Sequence, residues 1–135
     1  MGGLATYGKQ TALAAILPNG TNAYVGLPFT LPSDDDGTGL VEASGAGYAR
    51  KAHSAWTSIQ DGTVWYRRNT GSVTLAALTA HLENVYGWGI WTAITGGSLI
   101  AWGPLLDAGG DETVKSFFPT NQPSFLANEL KVGID

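Results

Sequence analysis

The chain has 135 residues, of which 44% are hydrophobic, 13% are charged and none is cysteine, and its net charge is −4. That length suits one domain with its own core, and the composition excludes a disordered tail, a coiled coil and a disulfide scaffold. The 7 basic against 11 acidic residues argue against nucleic-acid binding, and no apolar run is long enough to cross a membrane.

The first predicted element is a short α-helix within an N-terminal arm, residues 1–20. Apolar side chains recur at helical spacing and share one face. The helix ends before Pro18-Asn-Gly20, because proline disfavours helix in the residue before it and Asn-Gly forms turns. We expect the apolar face either to become ordered on a partner protein or to cover the open end of the following domain. The residues of this face are Leu4, Tyr7, Leu13, Ile16 and Leu17.

Residues 21–135 consist of short apolar stretches separated by Gly, Pro, Asn and Asp, a pattern typical of strands. Alternation over Ala23–Phe29 predicts the first strand, and Pro28 places it at a sheet edge or ends it. Thr95-Gly-Gly97 predicts a hairpin turn. About eight short strands without a crossover helix predict an all-β domain, a single jelly-roll-like antiparallel β-sandwich. The other candidate strands are Tyr48–Trp56, Val64–Arg68, Ser72–Leu78, Val85–Thr92, Leu99–Pro104, Thr113–Phe118 and Ser124–Ile134.

The sequence contains few groups that suggest catalysis or metal binding. The only conventional bases, His53 and His81, lie near strand-like segments with no nucleophile motif, which favours structural roles. The acidic turns Asp34–Asp36 and Asp107–Glu112 lack the carboxylate spacing of a calcium loop. We therefore predict no catalytic residue, no cofactor and no metal. The weakest alternative is a glycoside hydrolase that uses two carboxylates of the second turn.

The tryptophans are the remaining candidates for a binding site, although a strand-like context favours burial. Trp88 and Trp91 have opposite parity on one predicted strand, so they should point to opposite faces of the sheet. We expect at least one of them to be exposed or to lie in a subunit contact, where aromatic residues are enriched. A platform of exposed indoles for sugars is the alternative. The tryptophans are Trp56, Trp65, Trp88, Trp91 and Trp102.

Several segments, taken in order, carry a resemblance to a known family. They are Ala23–Leu27, the loop Pro32–Gly39, Glu42–Arg50, Gly87–Leu105 and the alternating end at Ile134-Asp135. Together they resemble a family of small virion structural proteins of tailed bacteriophages, which are commonly labelled tail fibre proteins. Proteins of this type are also similar to the cement proteins that decorate capsids. The resemblance covers most of the chain and implies no catalytic residues.

Two hypotheses follow from the resemblance. In the first, a non-enzymatic virion protein decorates and cements the capsid outer surface and stabilises contacts between subunits of the major capsid protein. It would bind through the helical face, with a contribution from Trp88 and Trp91, and self-associate as a dimer or trimer that protects its edge strand. In the alternative, the chain is a tail-fibre or receptor-binding module that contacts a host glycan.

Overall fold

The computed structural model describes residues 2–34 and 36–134, where one helix precedes a series of short antiparallel strands. This confirms the prediction of an all-β fold with a short N-terminal helix. The helix α1 spans Thr6–Ile16. The strands are β1 (Ala23–Gly26), β2 (Pro28–Thr30), β3 (Val41–Glu42), β4 (Lys51–His53), β5 (Trp56–Asp61), β6 (Val64–Asn69), β7 (Val73–Thr74), β8 (Leu82–Val85), β9 (Gly87–Trp91), β10 (Leu99–Pro104), β11 (Lys115–Phe117), β12 (Ser124–Phe125) and β13 (Lys131–Ile134).

The strands of the described residues form a four-stranded sheet of order β10-β9-β1-β4, a three-stranded sheet of order β13-β6-β5 and three pairs, β11-β8, β12-β7 and β2-β3. The predicted strand Ala23–Phe29 is divided, because β1 ends at Gly26 and β2 begins at Pro28. Turn residues break the chain into more strands than the eight predicted. The single two-sheet sandwich therefore stays a prediction, as does the division of the chain at residue 20.

The hydrophobic core lies between the sheets and the loops that connect them. Val25 of β1 pairs with Ile90 of β9, and both side chains are fully buried. Burial of such side chains is the main favourable term in folding. No described helix has the length and hydropathy to span a membrane. Other core residues include Leu17, Leu27, Trp56, Leu75, Leu82, Val85, Trp88 and Leu130.

Helix α1 packs against β5, β6 and β13 rather than standing away from the body. Leu13 and Leu17 are fully buried in that contact. The Nε of Arg67 donates a hydrogen bond of 2.8 Å to the carbonyl oxygen of Leu17, which satisfies a carbonyl at the helix end. The backbone N–H of Trp56 donates to Oδ1 of Asn19 at 2.6 Å. The helix therefore covers the body, one of the two expected arrangements.

We expect Leu13→Ala to lower the free energy of unfolding by about 2–4 kcal/mol, because it leaves a cavity under the helix. Ile16→Ala, on the exposed side of the same helix, should change it by less than about 1 kcal/mol. Chemical denaturation monitored by tryptophan fluorescence measures both values. Equal effects of the two substitutions would contradict the docked position of the helix.

Candidate functional site

The most highly organised polar cluster surrounds Arg50, just before β4. Its guanidinium forms two hydrogen bonds with the carboxylate of Glu42, Nε to Oε2 at 2.6 Å and Nη2 to Oε1 at 3.0 Å. Nη1 also donates to the carbonyl oxygens of Ala93 and Gly96, each at 2.7 Å. The Arg50 side chain is only 7% exposed. One side chain thus joins β3 to the turn between β9 and β10, the hairpin turn predicted at residues 95–97.

The same guanidinium lies over the indole of Trp91, with its central carbon 4.2 Å from the ring centroid. The indole in turn lies over Gly89 and beside Gly26, which are paired on neighbouring strands. A Cβ atom at Gly89 would come within 2.5 Å of the ring, and one at Gly26 within 3.0 Å. The absence of side chains at these glycines therefore makes room for the Trp91 indole, and Arg50 packs on the indole's other face.

Tyr48 completes the cluster. Its hydroxyl accepts a hydrogen bond from the Leu27 N–H and donates one to Oε2 of Glu42, both at 2.9 Å. Burial raises the pKa of Tyr48 well above its ordinary value, and the nearby Glu42 carboxylate acts in the same direction. The phenol therefore stays neutral and able to donate. The hydrogen bonds of Glu42, Tyr48 and Arg50 therefore tie β3, the residue before β2 and the β9–β10 turn together.

The structure separates the predicted helical binding face into two parts. Leu13 and Leu17 are buried against the sheet, so a partner can reach them only if the helix undocks. Leu4, Tyr7 and Ile16 remain on the outer surface, where Tyr7 is 80% exposed. A partner-binding role for the outer three residues stays a prediction.

Of the two alternatives for Trp88 and Trp91, exposure is wrong, since their exposed fractions are 6% and 5%, and a subunit contact stays a prediction. Opposite parity does send them to opposite faces, but loops or other strands cover both faces of β9. The Trp88 indole lies against Gly103, where a Cβ would come within 2.5 Å of the ring. Any role for these indoles in partner binding would require the covering segments to move.

The acidic turns and the histidines make local structural contacts. Oδ1 of Asp107 accepts hydrogen bonds from the N–H groups of Gly109 and Asp111, within its own turn. In the Asp34–Asp36 turn, Asp35 lies outside the described residues, and a hydrogen bond from Thr38 lowers the pKa of Asp36. In the described part of the chain, no group of three or more His, Asp or Glu residues is placed to hold a metal ion.

The two histidines each contact an aromatic ring edge to face. The ring of His53 lies 5.1 Å from that of Trp56, and the ring of His81 lies 4.9 Å from that of Phe118. Nε2 of His53 is 2.8 Å from the carbonyl oxygen of Ala55. These contacts give both histidines packing roles.

A groove of about 560 Å³ runs beside β10. Trp102 and Phe117 are half-buried in its wall, and Lys115, Asp107 and Glu129 bring charges to it. A smaller cavity of about 280 Å³ continues past Trp102 between β10 and β13. Sequence patterns did not predict these openings, because they depend on which strands lie at sheet edges. Both are concave surfaces with room for a bound segment.

One comparison with known proteins gave a match. The model of a protein family described as "Podophage GP4 fiber I protein gp80" matches residues 5–133, which include the docked helix and nearly all of the β-rich body. A search of the curated proteins found no match.

We expect Gly89→Ala to lower the free energy of unfolding by about 1–3 kcal/mol, because the added methyl group overlaps the Trp91 indole. Gly2→Ala adds the same group where no atom lies within 4 Å and should leave stability unchanged. Urea denaturation measures both. A neutral Gly89→Ala would contradict the packing of Trp91.

We expect the free energy of unfolding to fall at alkaline pH because of Tyr48. Because the pKa of Tyr48 is raised in the folded state, its contribution to stability is complete below about pH 10, where an unfolded tyrosine ionises. At higher pH the unfolded state loses a proton that the folded state keeps, so stability falls by up to about 1.4 kcal/mol per pH unit.

Tyr48→Phe should flatten this dependence and also lower stability at pH 8, because the Leu27 N–H loses its acceptor. Tyr7→Phe, on the exposed surface, should keep the wild-type dependence. Unfolding free energies measured between pH 8 and 12 compare the three proteins. An unchanged slope in Tyr48→Phe would show that another group causes the alkaline loss.

Proposed function

The chain belongs to the podophage GP4 fiber I protein gp80 family, and from this premise we propose that it is a non-enzymatic structural component of a phage fibre. It would act by binding other virion proteins and further copies of itself. The observation that carries this proposal is the extent of the family match, because it covers both the helix and the body that the helix closes. Membership supports a structural role in the virion.

The non-enzymatic part of the proposal is supported by what the polar side chains do. Glu42, Tyr48 and Arg50 bind one another and nearby backbone groups. The Asp107 carboxylate accepts hydrogen bonds within its own turn. A catalytic acid or base instead needs a polar atom that can come within hydrogen-bond distance of the reacting atoms of a substrate.

Exposed apolar side chains supply the contact surface for such a role. A structural protein that binds partners needs apolar area outside its core. At the N-terminal end this area comes from Leu4, which precedes helix α1, and from Tyr7 and Ile16 on the helix, and we propose that they contact a neighbouring virion protein. Other exposed apolar residues lie on the body at Val41, Tyr86, Ile94, Leu106, Val114, Phe118 and Leu126.

A receptor-binding version of the fibre proposal has less support from the tryptophans. Trp56, Trp88 and Trp91 are buried and offer no face for stacking on a sugar. Trp65 and Trp102 are half-buried, and of these Trp102 lines the larger groove. If the chain contacts a host glycan, the groove beside Trp102 is the place we propose for it.

Capsid cementing remains the second candidate. A compact body with a docked helix and exposed Leu4 and Tyr7 suits a protein that seats its helix in a groove between major capsid protein subunits. Such a protein would bind only the assembled shell and so stabilise it by linkage. The two candidates differ in location, on a fibre at the tail or on the capsid outer surface.

Antibody labelling of intact virions, imaged by electron microscopy, distinguishes these locations. We expect label on fibres at the tail. Label spread over the head would replace the fibre proposal with the cement proposal. In that case we expect the purified protein to bind shells saturably. Virions without label at either place would contradict both.

We expect Tyr7→Asp to reduce incorporation into virions without changing the melting temperature, because it places a charge on the exposed face of the helix. Gln122→Asp, in an exposed loop of the body, is the matched control and should be incorporated normally. Quantitative immunoblotting of purified particles measures both. Normal incorporation of Tyr7→Asp would show that this face binds no virion partner.

A further inference from the structure

Two unpaired strand edges face one another on the body. β10 is the last strand of the four-stranded sheet and β13 is the last strand of the three-stranded sheet. Their Cα atoms approach within 8 Å at the closest residues, yet over residues 2–34 and 36–134 no backbone hydrogen bond joins them. We name this gap the seam.

The hydrogen-bond pattern shows which backbone groups point into the seam. The Leu105 N–H donates to the Tyr86 carbonyl oxygen, so alternation along an antiparallel strand turns the N–H and C=O of Trp102 away from β9 and toward the seam. The backbone of Pro104 also points away from β9, and Pro104 has no N–H to pair there, as is usual for proline on edge strands.

On β13 the same alternation applies. The N–H of Leu130 points to β6, where it donates to Oδ1 of Asn69. The backbone groups of Lys131 and Gly133 therefore point into the seam. The Lys131 ammonium lies 5.9 Å from the ring centroid of Tyr66, so this side chain lies toward the face of the sheet.

The groove of about 560 Å³ and the cavity of about 280 Å³ beside β10 lie along this seam. The smaller one is lined by Leu99–Trp102 and Lys131–Gly133 and is bounded by Asp36 and Gly37 of the loop before β3, and the larger one extends from Trp102 past Pro104. Both share Trp102 and Lys131. Together they make one groove with backbone donors and acceptors on both sides, which is the arrangement that binds an extended polypeptide by strand addition.

We propose that the seam binds the segment Gly2–Ala5 of a second copy of this chain as an added β-strand. This inference rests on the proposed structural role and names the contact by which copies join. The donor copy keeps its own seam free, so the contact is head to tail and can repeat into a ring or a filament.

The segment Gly2–Ala5 has the properties that the seam requires. Ala5 is extended, with φ −69° and ψ 165°, and no atom lies within 4 Å of a Cβ built on Gly2 or Gly3. Leu4 is 53% exposed and apolar. Four extended residues span about 13 Å, the length of β13.

The width of the seam favours small residues. A strand between two others needs about 9.6 Å from one outer strand to the other, and the Cα atoms of β10 and β13 come within 8 Å at the closest residues, so insertion must widen that part of the seam. Because β13 pairs with β6 along its whole length, the proposal requires β13 and its sheet to shift together away from β10. Gly2 and Gly3 would occupy the narrow part, and Leu4 would reach Trp102 in the larger groove.

Sedimentation velocity of the full chain over a range of concentrations tests the proposal. We expect reversible self-association that Leu4→Asp weakens by at least about tenfold, since it replaces a buried apolar contact with a charge. Lys131→Pro removes a seam N–H and no bond to β6, so it should weaken association similarly. Lys131→Ala keeps that N–H and should associate like the wild type.

A mixture of the two variants gives the sharpest result. Each carries one damaged half of the contact, Leu4→Asp in the donor segment and Lys131→Pro in the seam. The intact segment of one can still enter the intact seam of the other, so mixing should produce heterodimers and nothing larger. Melting curves establish that both variants fold, and if Lys131→Pro does not, Leu4→Asp against the wild type decides.

A wild type that stays monomeric at all concentrations, a Leu4→Asp protein that associates normally, or a mixture of weakly associating variants that forms no heterodimer would each overturn the proposal. Virion labelling reports on the proposed function separately, because it uses the wild-type protein and does not depend on how copies join. A labelled fibre built from copies that do not use the seam would thus refute this inference alone.

Discussion

The contact between Arg50 and Glu42 is the constraint on which the outer side of the four-stranded sheet depends. Two charges removed from water are stable only if good geometry and further hydrogen bonds replace their hydration. Arg50 meets this requirement with bidentate bonds to the carboxylate, two carbonyl acceptors in the β9–β10 turn and the face of an indole. Loss of Glu42 would leave the nearly buried Arg50 charge with only neutral acceptors and the indole face. The cluster therefore fixes β3, the turn and β4 as one unit.

The position of Trp91 and the course of β10 follow from this unit. With the arginine above it, the indole must lie flat on the sheet, and Gly26 and Gly89 provide the room. Arg50 holds the turn between β9 and β10. One edge of β10 pairs with β9, and its other edge faces β13. A chain with no cysteine and few charges thus obtains a firm body from packing and one ion-pair cluster, while its helix surface and its seam remain available for protein contacts. This division suits a virion component.

Much of the local structure could be predicted, because it depends on residues that are close together in the sequence. Helical spacing and the Pro18-Asn-Gly20 stop depend on neighbours in sequence, as do the break at Pro28 and the Gly96-Gly97 turn. The family resemblance rested on the ordered motifs, and the family match confirmed it. Parity also placed Trp88 and Trp91 on opposite faces correctly. Their exposure was predicted wrongly, because strand parity cannot show that both faces of the central strand β9 are covered.

Backbone preferences and motifs in their order along the chain were enough to predict the all-β class, the short helix, the turns and the family. The tertiary structure alone decided which side of the helix is buried, how Glu42, Tyr48 and Arg50 combine, and which strands are left at the edges. Those features depend on contacts between residues far apart in the chain, such as Arg67 with Leu17 and Arg50 with Gly96. Long-range pairing is set by the global arrangement of the sheets, which no local pattern contains.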